Sequence, residues 1–306
     1  MKKRKVYPGR MHHIYQRTRH GGLLFYSPAD CLVFFTVFCS VAERMGISVA
    51  ALCLMPDHVH QVVVAPNVRT LSSFQQRFSQ LFAKEWNRSR KRKGQVFRHC
   101  FGSAAKLGAK QIRTTLAYNY NNPVERKLTD RAEQYPWNFL PYASSRHPFS
   151  APLAEEHASR TLRRALQEAR ACQKAGGYLR YGQLDRWFRD LNPEEAKQLT
   201  DVVIGLWNSV DYALAASFYE SREAMIRAFH DNSGSEYDIR EERDNWDDKV
   251  YRDISSILLR EKHIDSLRDI PGLPDPRKGE LFRLLRYRTS AHPRQLCKYL
   301  HWHLSD

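Results

Sequence analysis

The sequence ISVAALCLMPDHVHQVVVA, residues 47–65, contains two apolar runs on either side of a short polar segment. Residues 47–54 and 58–65 are predicted to be two strands, joined by the tight connection Met55-Pro56-Asp57. Side chains alternate between the two faces of a strand, so His58 and His60 are expected to share one face. Two imidazoles on one side of a strand supply half of a metal site.

The same spacing occurs again in His301-Trp302-His303. That stretch is predicted to be helical, and residues two apart on a helix point about 200° away from each other, so this pair cannot share a metal ion. His12 and His13 are predicted to lie on a strand and to point to opposite faces, so at most one of them could approach the site; a surface or DNA-contacting role is the preferred interpretation. Asp57 is interpreted as a turn-forming residue after Pro56, with a hydrogen bond to a histidine ring as the alternative.

Capping residues and apolar periodicity predict the elements around the two strands. They are a strand over 11–19, a helix from Ser27 to about Met45, a helix over 70–91, a strand over 95–101 and a helix over 110–122. This order of strands and helices indicates an α+β fold with a ferredoxin-like antiparallel sheet. The last helix is expected to end at Asn122, because Pro123 disfavours helical geometry in the residue before it.

Positive charge is concentrated in the first half of the chain. Residues 1–150 contain 24 Lys and Arg against 7 Asp and Glu, a net charge of +17, whereas residues 151–306 contain 25 against 26. Such a field attracts a polyanion, most commonly nucleic acid, and argues against a hydrolase of small substrates. Phosphate contact, with a solvated helix end as the alternative, is predicted for Arg77, Lys84, Arg88, Arg90, Lys91, Arg92 and Lys93.

The second half, residues 151–306, is predicted to be a mostly helical domain that follows a first domain over 1–150. Residues 278–304 suggest a helix-turn-helix with the basic residues Arg294 and Lys298 on its second helix; a plain helical hairpin is the alternative. The stretch from Asp231 to Asp248 is predicted to be an exposed loop. Scattered cysteines without a C-x-x-C pair, and no apolar run long enough to cross a bilayer, predict a cytoplasmic protein.

Three short motifs give the first half its resemblance to a known family. They are Met55-Pro56-Asp57-His58-Val59-His60, Gly94-Gln95-Val96-Phe97 and the run from Tyr118 to Val124 (YNYNNPV), followed by Tyr135-Pro136-Trp137. In this order and spacing they resemble the single-tyrosine HUH transposases, in particular the REP-associated tyrosine transposases. The family's common Trp-Ser-Ser ending is replaced here by Trp137-Asn138-Phe139, and the minimal members end near the length of the first half.

The resemblance implies a metal-dependent endonuclease and strand transferase that acts on single-stranded DNA with hairpin structure, as a monomer or homodimer. His58 and His60 match the metal ligands, and Mg²⁺ or Mn²⁺ is the cofactor that the resemblance implies. Tyr118 matches the nucleophile, and Tyr120 is its neighbour on the opposite side of the helix. Asn122 occupies the place of a polar third ligand, or else only ends its helix. The alternative function is a non-catalytic DNA-binding regulator derived from a transposase.

Overall fold

The computed structural model describes residues 6–98, 101–231 and 246–302. Four strands form one antiparallel sheet: β1 (Met11–Arg17), β2 (Ser48–Met55), β3 (His58–Val64) and β4 (Gly102–Lys106). Their order across the sheet is β2-β3-β1-β4. This is the ferredoxin-like arrangement, so the predicted α+β fold class is confirmed.

Three helices of the first half cover the two faces of this sheet. They are α1 (Pro28–Arg44), α2 (Val68–Ser89) and α3 (Ala109–Glu125). Ile14 and Val63 pack with residues of α1 and α2, whereas Val62 packs with residues of α3. Helix α1 begins after Ser27 and is followed by Gly46 in the left-handed region (φ 62°), as its capping signals predicted.

The fourth strand lies at 102–106, and its predicted position at 95–101 was wrong. Within the described residues 95–98 and 101, the sheet pairing is limited to an isolated bridge between Phe97 and Thr18. The true strand reads GSAAK, which lacks the β-branched residues that mark strands in a sequence. A Cβ atom at Gly102 would lie 1.7 Å from the ring of Tyr15, so any larger residue there would force that ring to move.

Helix α3 continues beyond Asn122, contrary to the prediction. Pro123 lies inside its last turn, and the backbone N–H of Arg126 donates to the carbonyl of Asn122 (3.1 Å). Proline removes one N–H and crowds the carbonyl four residues earlier, but it leaves the N–H groups of the following residues able to bond. One further turn is therefore possible before the helix ends at Glu125.

The second half is helical, as predicted. Its helices are α4 (Arg160–Lys174), α5 (Tyr181–Phe188), α6 (Pro193–Trp207), α7 (Tyr212–Ala216), α8 (Arg222–Asp231), α9 (Val250–Arg260), α10 (Asp275–Arg288) and α11 (Pro293–Leu300). Leu166 of α4 and Ile204 of α6 belong to the same hydrophobic core as Phe34 of α1. The core therefore continues across residue 150. No helix of the described residues is long and apolar enough to span a membrane.

Helices α10 and α11 form the predicted pair, but α11 ends at Leu300 rather than at 304. Its buried residues are Gln295, Leu296, Tyr299 and Leu300. Its end is bound to the first half: the Tyr26 hydroxyl donates to the carbonyl of Tyr299 (2.5 Å) and the Leu23 N–H donates to the carbonyl of Lys298 (3.1 Å). This docking favours the helical hairpin over the helix-turn-helix. His303 and the predicted loop's Ser233-Gly234-Ser235 lie outside the described residues.

His301 secures the end of α11, and we expect it to make the stability of the protein fall at acidic pH. Its Nε2 lies 2.7 Å from the carbonyl of Leu23, and burial lowers its pKa to about 3 despite that hydrogen bond. The unfolded chain binds a proton near pH 6.5 and the folded chain does not, so stability is full above pH 6.5 and is lost as the pH falls.

The expected loss of unfolding free energy between pH 7.5 and pH 5 is about 1–2 kcal/mol. Urea denaturation of the wild type and of His301→Gln at the two pH values measures it. The glutamine variant keeps a side-chain donor but cannot titrate, so its stability should fall less. Equal pH dependence of the two proteins would contradict this assignment.

Candidate active site on the histidine face of the sheet

His58 and His60 lie on the same face of β3, as their spacing predicted. Their ring centroids are 4.8 Å apart, and both side chains are buried. In the pairing of β1 with β3, Arg17 lies opposite His58 and Tyr15 lies opposite His60. Because directly paired residues of neighbouring strands project to the same side, these two side chains join the histidine face.

His13 also belongs to this face, and the surface role predicted for it was wrong. Its Nε2 lies 3.0 Å from Nδ1 of His60, and its side chain is fully buried. If His60 is to bind a cation through Nε2, its Nδ1 must carry the proton and donate to His13. His12 is buried on the opposite face, with Nδ1 2.9 Å from the carbonyl of Arg10.

Asp57 makes a hydrogen bond to the ring of His58. The predicted alternative, a hydrogen bond to a histidine ring, is therefore observed instead of a purely turn-forming role. Its Oδ1 lies 2.6 Å from Nδ1 of His58. Burial would raise the pKa of Asp57, but the charge and hydrogen bond of His58, with the charges of Lys298 and Arg126, hold that pKa well below its usual range. An ionised Asp57 accepts a hydrogen bond from Nδ1–H, which leaves the lone pair of His58 on Nε2.

Tyr118 approaches this face from α3. Its ring lies edge-on to His60 at 5.5 Å and to His13 at 5.8 Å between centroids. Tyr120, two residues away, points into the core: its hydroxyl donates to the carbonyl of Ala50 (3.1 Å) and its ring packs against Phe229. Of the two tyrosines, only Tyr118 contacts the histidines.

The direction of α3 places Asn122 level with His58. Tyr120 is bonded to Ala50 near the start of β2, while Leu128, just after the helix, packs against Met55 at its end. The helix therefore runs along β2 and antiparallel to β3. The four-residue step from Tyr118 to Asn122 rises about 6 Å, close to the length of two strand residues. Asn122 is therefore displaced from Tyr118 along the sheet by about the same distance as His58 is from His60.

The buried side chains of this face include one free metal-ligand atom. Among the described residues, the buried Nε2 of His58 has no hydrogen-bond partner; the buried Nδ2 of Asn122 also has none, but this amide nitrogen is a hydrogen-bond donor and cannot bind a cation, so Asn122 could be a ligand only through Oδ1. Unpaired polar atoms in a protein interior are costly and indicate a missing partner. No group of three or more His, Cys, Asp and Glu side chains in the described parts of the chain can hold a metal. Two imidazoles therefore fit a cation whose remaining ligands are an amide oxygen, water or phosphate oxygens.

The site is closed to solvent in this structure. Tyr118 is 5% exposed, His58 1% and His60 0%. Helix α3 is held from outside by α8, since the side-chain amide of Asn121 donates to the carbonyl of Phe229 (2.5 Å). A polymer can reach Tyr118 only when α3, or the helix α8 that packs on it, moves.

The predicted DNA contacts on α2 are exposed but lie on the other side of the sheet. Arg77, Lys84 and Arg88 face solvent on a helix that packs against the face opposite the histidines. Arg90 is a correction, because it is buried, bonded to Asp30 (2.7 Å) and stacked on Trp86. A guanidinium buried in an ion pair is inaccessible to a DNA phosphate, and its charge is already compensated by Asp30.

Further basic residues lie on the segment between α2 and β4 and at the end of β1. Lys91 and Lys93 are exposed and Arg92 is half-buried over Trp86. The chain then runs beside β1, where the N–H of Arg98 donates to the carbonyl of Arg17 (3.0 Å) and that of Arg19 donates to Val96 (2.8 Å). Arg19 and Arg98 are exposed and adjoin Arg17. Sequence reasoning overlooked these two arginines because they are isolated in the chain.

Lys298 is the other correction among the predicted DNA contacts. Its ammonium lies 3.2 Å from Oδ2 of Asp57, and only 26% of its side chain is exposed. It therefore faces the histidine site rather than a DNA groove. Arg294, one turn earlier on α11, is exposed, and its contact with DNA stays a prediction.

Comparison with known proteins gives two findings. Residues 23–122 match the family model described as "Transposase IS200 like". Among solved structures, the chain is similar to a REP-associated tyrosine transposase bound to a REP hairpin, with 15% identity and a TM-score of 0.41 over 52% of this chain and 94% of that one. No curated protein matches the chain.

Proposed function

We propose that this chain, whose residues 23–122 match the IS200-like transposase family model, cleaves and rejoins single-stranded DNA with Tyr118 as its nucleophile. The observation that carries the proposal is the contact of Tyr118 with both His13 and His60, on a face where His58 presents an unpartnered Nε2. A nucleophile beside a cation site is the arrangement that phosphoryl transfer requires.

His58 and His60 would hold the divalent cation through Nε2, with Asn122 as the third protein ligand. Mg²⁺ or Mn²⁺ at this position supplies charge that binds phosphate oxygens and offsets the negative charge of the transition state. Asp57 and His13 fix the two imidazole rings, so the donor atoms are oriented before any ligand arrives. Tyr118 is held on α3 at the same level as His60.

In the cleavage step, the phenolic oxygen of Tyr118 attacks a backbone phosphorus and loses its proton. The bond from phosphorus to the 3′ oxygen breaks, and that oxygen takes up a proton. The products are a 5′-phosphotyrosine and a free 3′-hydroxyl. Reversal by a 3′-hydroxyl rejoins the strand without ATP, because the number of phosphoester bonds does not change.

The test is incubation of the full chain with a radiolabelled hairpin carrying single-stranded flanks, in Mg²⁺, Mn²⁺ or EDTA. We expect a protein–DNA adduct that survives denaturing electrophoresis, in the presence of metal only. DNA binding without any adduct would instead support the second candidate function, a non-catalytic regulator. The burial of the site favours that candidate.

The path of DNA outside the site is a further prediction. Arg19 and Arg98 adjoin Arg17, which lies opposite His58, so we expect the strand to pass them on its way to Tyr118. Replacing both with Gln should weaken single-stranded DNA binding and reduce the salt slope by about 1.4, the value for two phosphate contacts.

The matched control is the double replacement of Arg77 and Lys84 with Gln, which removes the same charge from the opposite face of the sheet. Fluorescence anisotropy over a range of salt concentrations measures both variants. A larger loss in the Arg77 and Lys84 variant would show that DNA follows α2 instead.

A further inference from the structure

The turn that carries Asp57 is enclosed by two distant parts of the chain. The N–H groups of Leu24 and Phe25 both donate to the carbonyl of Pro56, at 2.7 and 3.1 Å. The next residue back, Leu23, donates to the carbonyl of Lys298 on α11. The segment 23–25 therefore lies between the turn and α11, and it fixes one against the other.

Lys298 then contacts the turn directly. Its Nζ lies 3.2 Å from Oδ2 of Asp57, while Oδ1 of the same carboxylate lies 2.6 Å from Nδ1 of His58. The ammonium also lies 5.8 Å from the ring centroid of Trp246. Each carboxylate oxygen has its own partner, so the plane of the carboxylate is fixed at both ends.

We propose that Lys298 is a positioning residue for the cation site, acting through Asp57 on His58. The inference rests on the proposed function, because it takes His58 as a metal ligand. It assigns to the helical second half a role in building the site that the first half carries.

Charge balance gives the physical reason. Before a cation binds, an imidazole that keeps Nε2 free of a proton is neutral, so it cannot compensate the charge of Asp57. A buried carboxylate without a counter-charge is strongly unfavourable. Lys298 supplies that charge together with the nearby Arg126. Without Lys298, Asp57 is free to turn toward Arg126 and to release the ring of His58.

The test measures Mn²⁺ affinity of the full chain by electron paramagnetic resonance, without DNA. We expect Lys298→Met to weaken Mn²⁺ binding about tenfold, the lower end for residues that orient metal ligands, and Asp57→Asn to weaken it by up to about a hundredfold. Lys298→Arg, which keeps the charge, should restore most of the affinity. Arg286→Met removes an exposed cation from the neighbouring helix α10 and should change nothing.

A double-mutant cycle establishes the route. In the Asp57→Asn background, Lys298→Met should have no further effect on Mn²⁺ affinity, because the connection is already broken. Additive losses would show that Lys298 acts by another path. Wild-type affinity in Lys298→Met would overturn the proposal.

A second measurement needs no metal. ¹⁵N NMR of histidine-labelled protein reports which ring nitrogen of His58 carries the proton. We expect the Nδ1–H form in the wild type and a mixture of forms in Asp57→Asn and in Lys298→Met. An unchanged His58 signal in Asp57→Asn would overturn the proposal even if the lysine variants fail to fold. A Lys298-dependent His58 signal in a protein that forms no DNA adduct would retain the inference and refute only the proposed function.

Discussion

Tyr118→Phe is expected to reduce formation of the covalent DNA adduct by at least about a thousandfold, because the substitution removes only the attacking oxygen. The ring still packs against His13 and His60, so single-stranded DNA binding should stay close to that of the wild type. Adduct yield on denaturing gels and anisotropy titrations measure the two effects separately.

Tyr120→Phe is the matched control, two residues away on the same helix. It deletes the hydrogen bond to the carbonyl of Ala50 and should cost about 1 kcal/mol of stability, with the adduct retained. An adduct that persists in Tyr118→Phe and disappears in Tyr120→Phe would reverse the assignment of the nucleophile.

The second large effect is expected from the histidine pair. His58→Ala and His60→Ala should each lower cleavage about a hundredfold or more and weaken Mn²⁺ binding, since each removes one of two imidazole donors. Cleavage assays at saturating DNA, with Mn²⁺ binding measured in parallel, distinguish lost chemistry from lost DNA affinity.

His263→Ala serves as the control, because that histidine lies in the second half, beside Glu261. Its loss should leave both measurements unchanged. Wild-type cleavage by a protein that lacks both His58 and His60 would refute the metal-dependent mechanism altogether.

Local sequence patterns predict most of the fold. The two strands, the polar turn at Asp57 and the cap at Ser27 are each specified by neighbours in the chain, and the structure has them where they were predicted. The fourth strand was misplaced because its residues have little strand propensity. In this strand the backbone of Gly102 leaves room for the ring of Tyr15. These two residues are far apart in the sequence, so no local pattern predicts their contact.

The site was predictable to the extent that it depends on periodicity. Alternation along a strand places His58 with His60, and helical spacing separates Tyr118 from Tyr120. The roles of His13 and Lys298 depend instead on contacts between distant segments. A histidine next to another histidine in the sequence gives no sign of which one faces the site, and a lysine on a basic helix resembles a DNA contact until its partner is known.

The contact between segment 23–25 and α11 also bears on how the protein is made. Residues around Leu23 leave the ribosome long before Lys298 and His301 have been synthesised, at a translation rate of about 5–20 residues per second. During that interval the sheet can form, but the turn at Asp57 has no lysine beside it. A nascent chain therefore contains Tyr118, His58 and His60 before it contains Lys298, and under the role proposed for Lys298 the ring of His58 becomes oriented only when α11 docks.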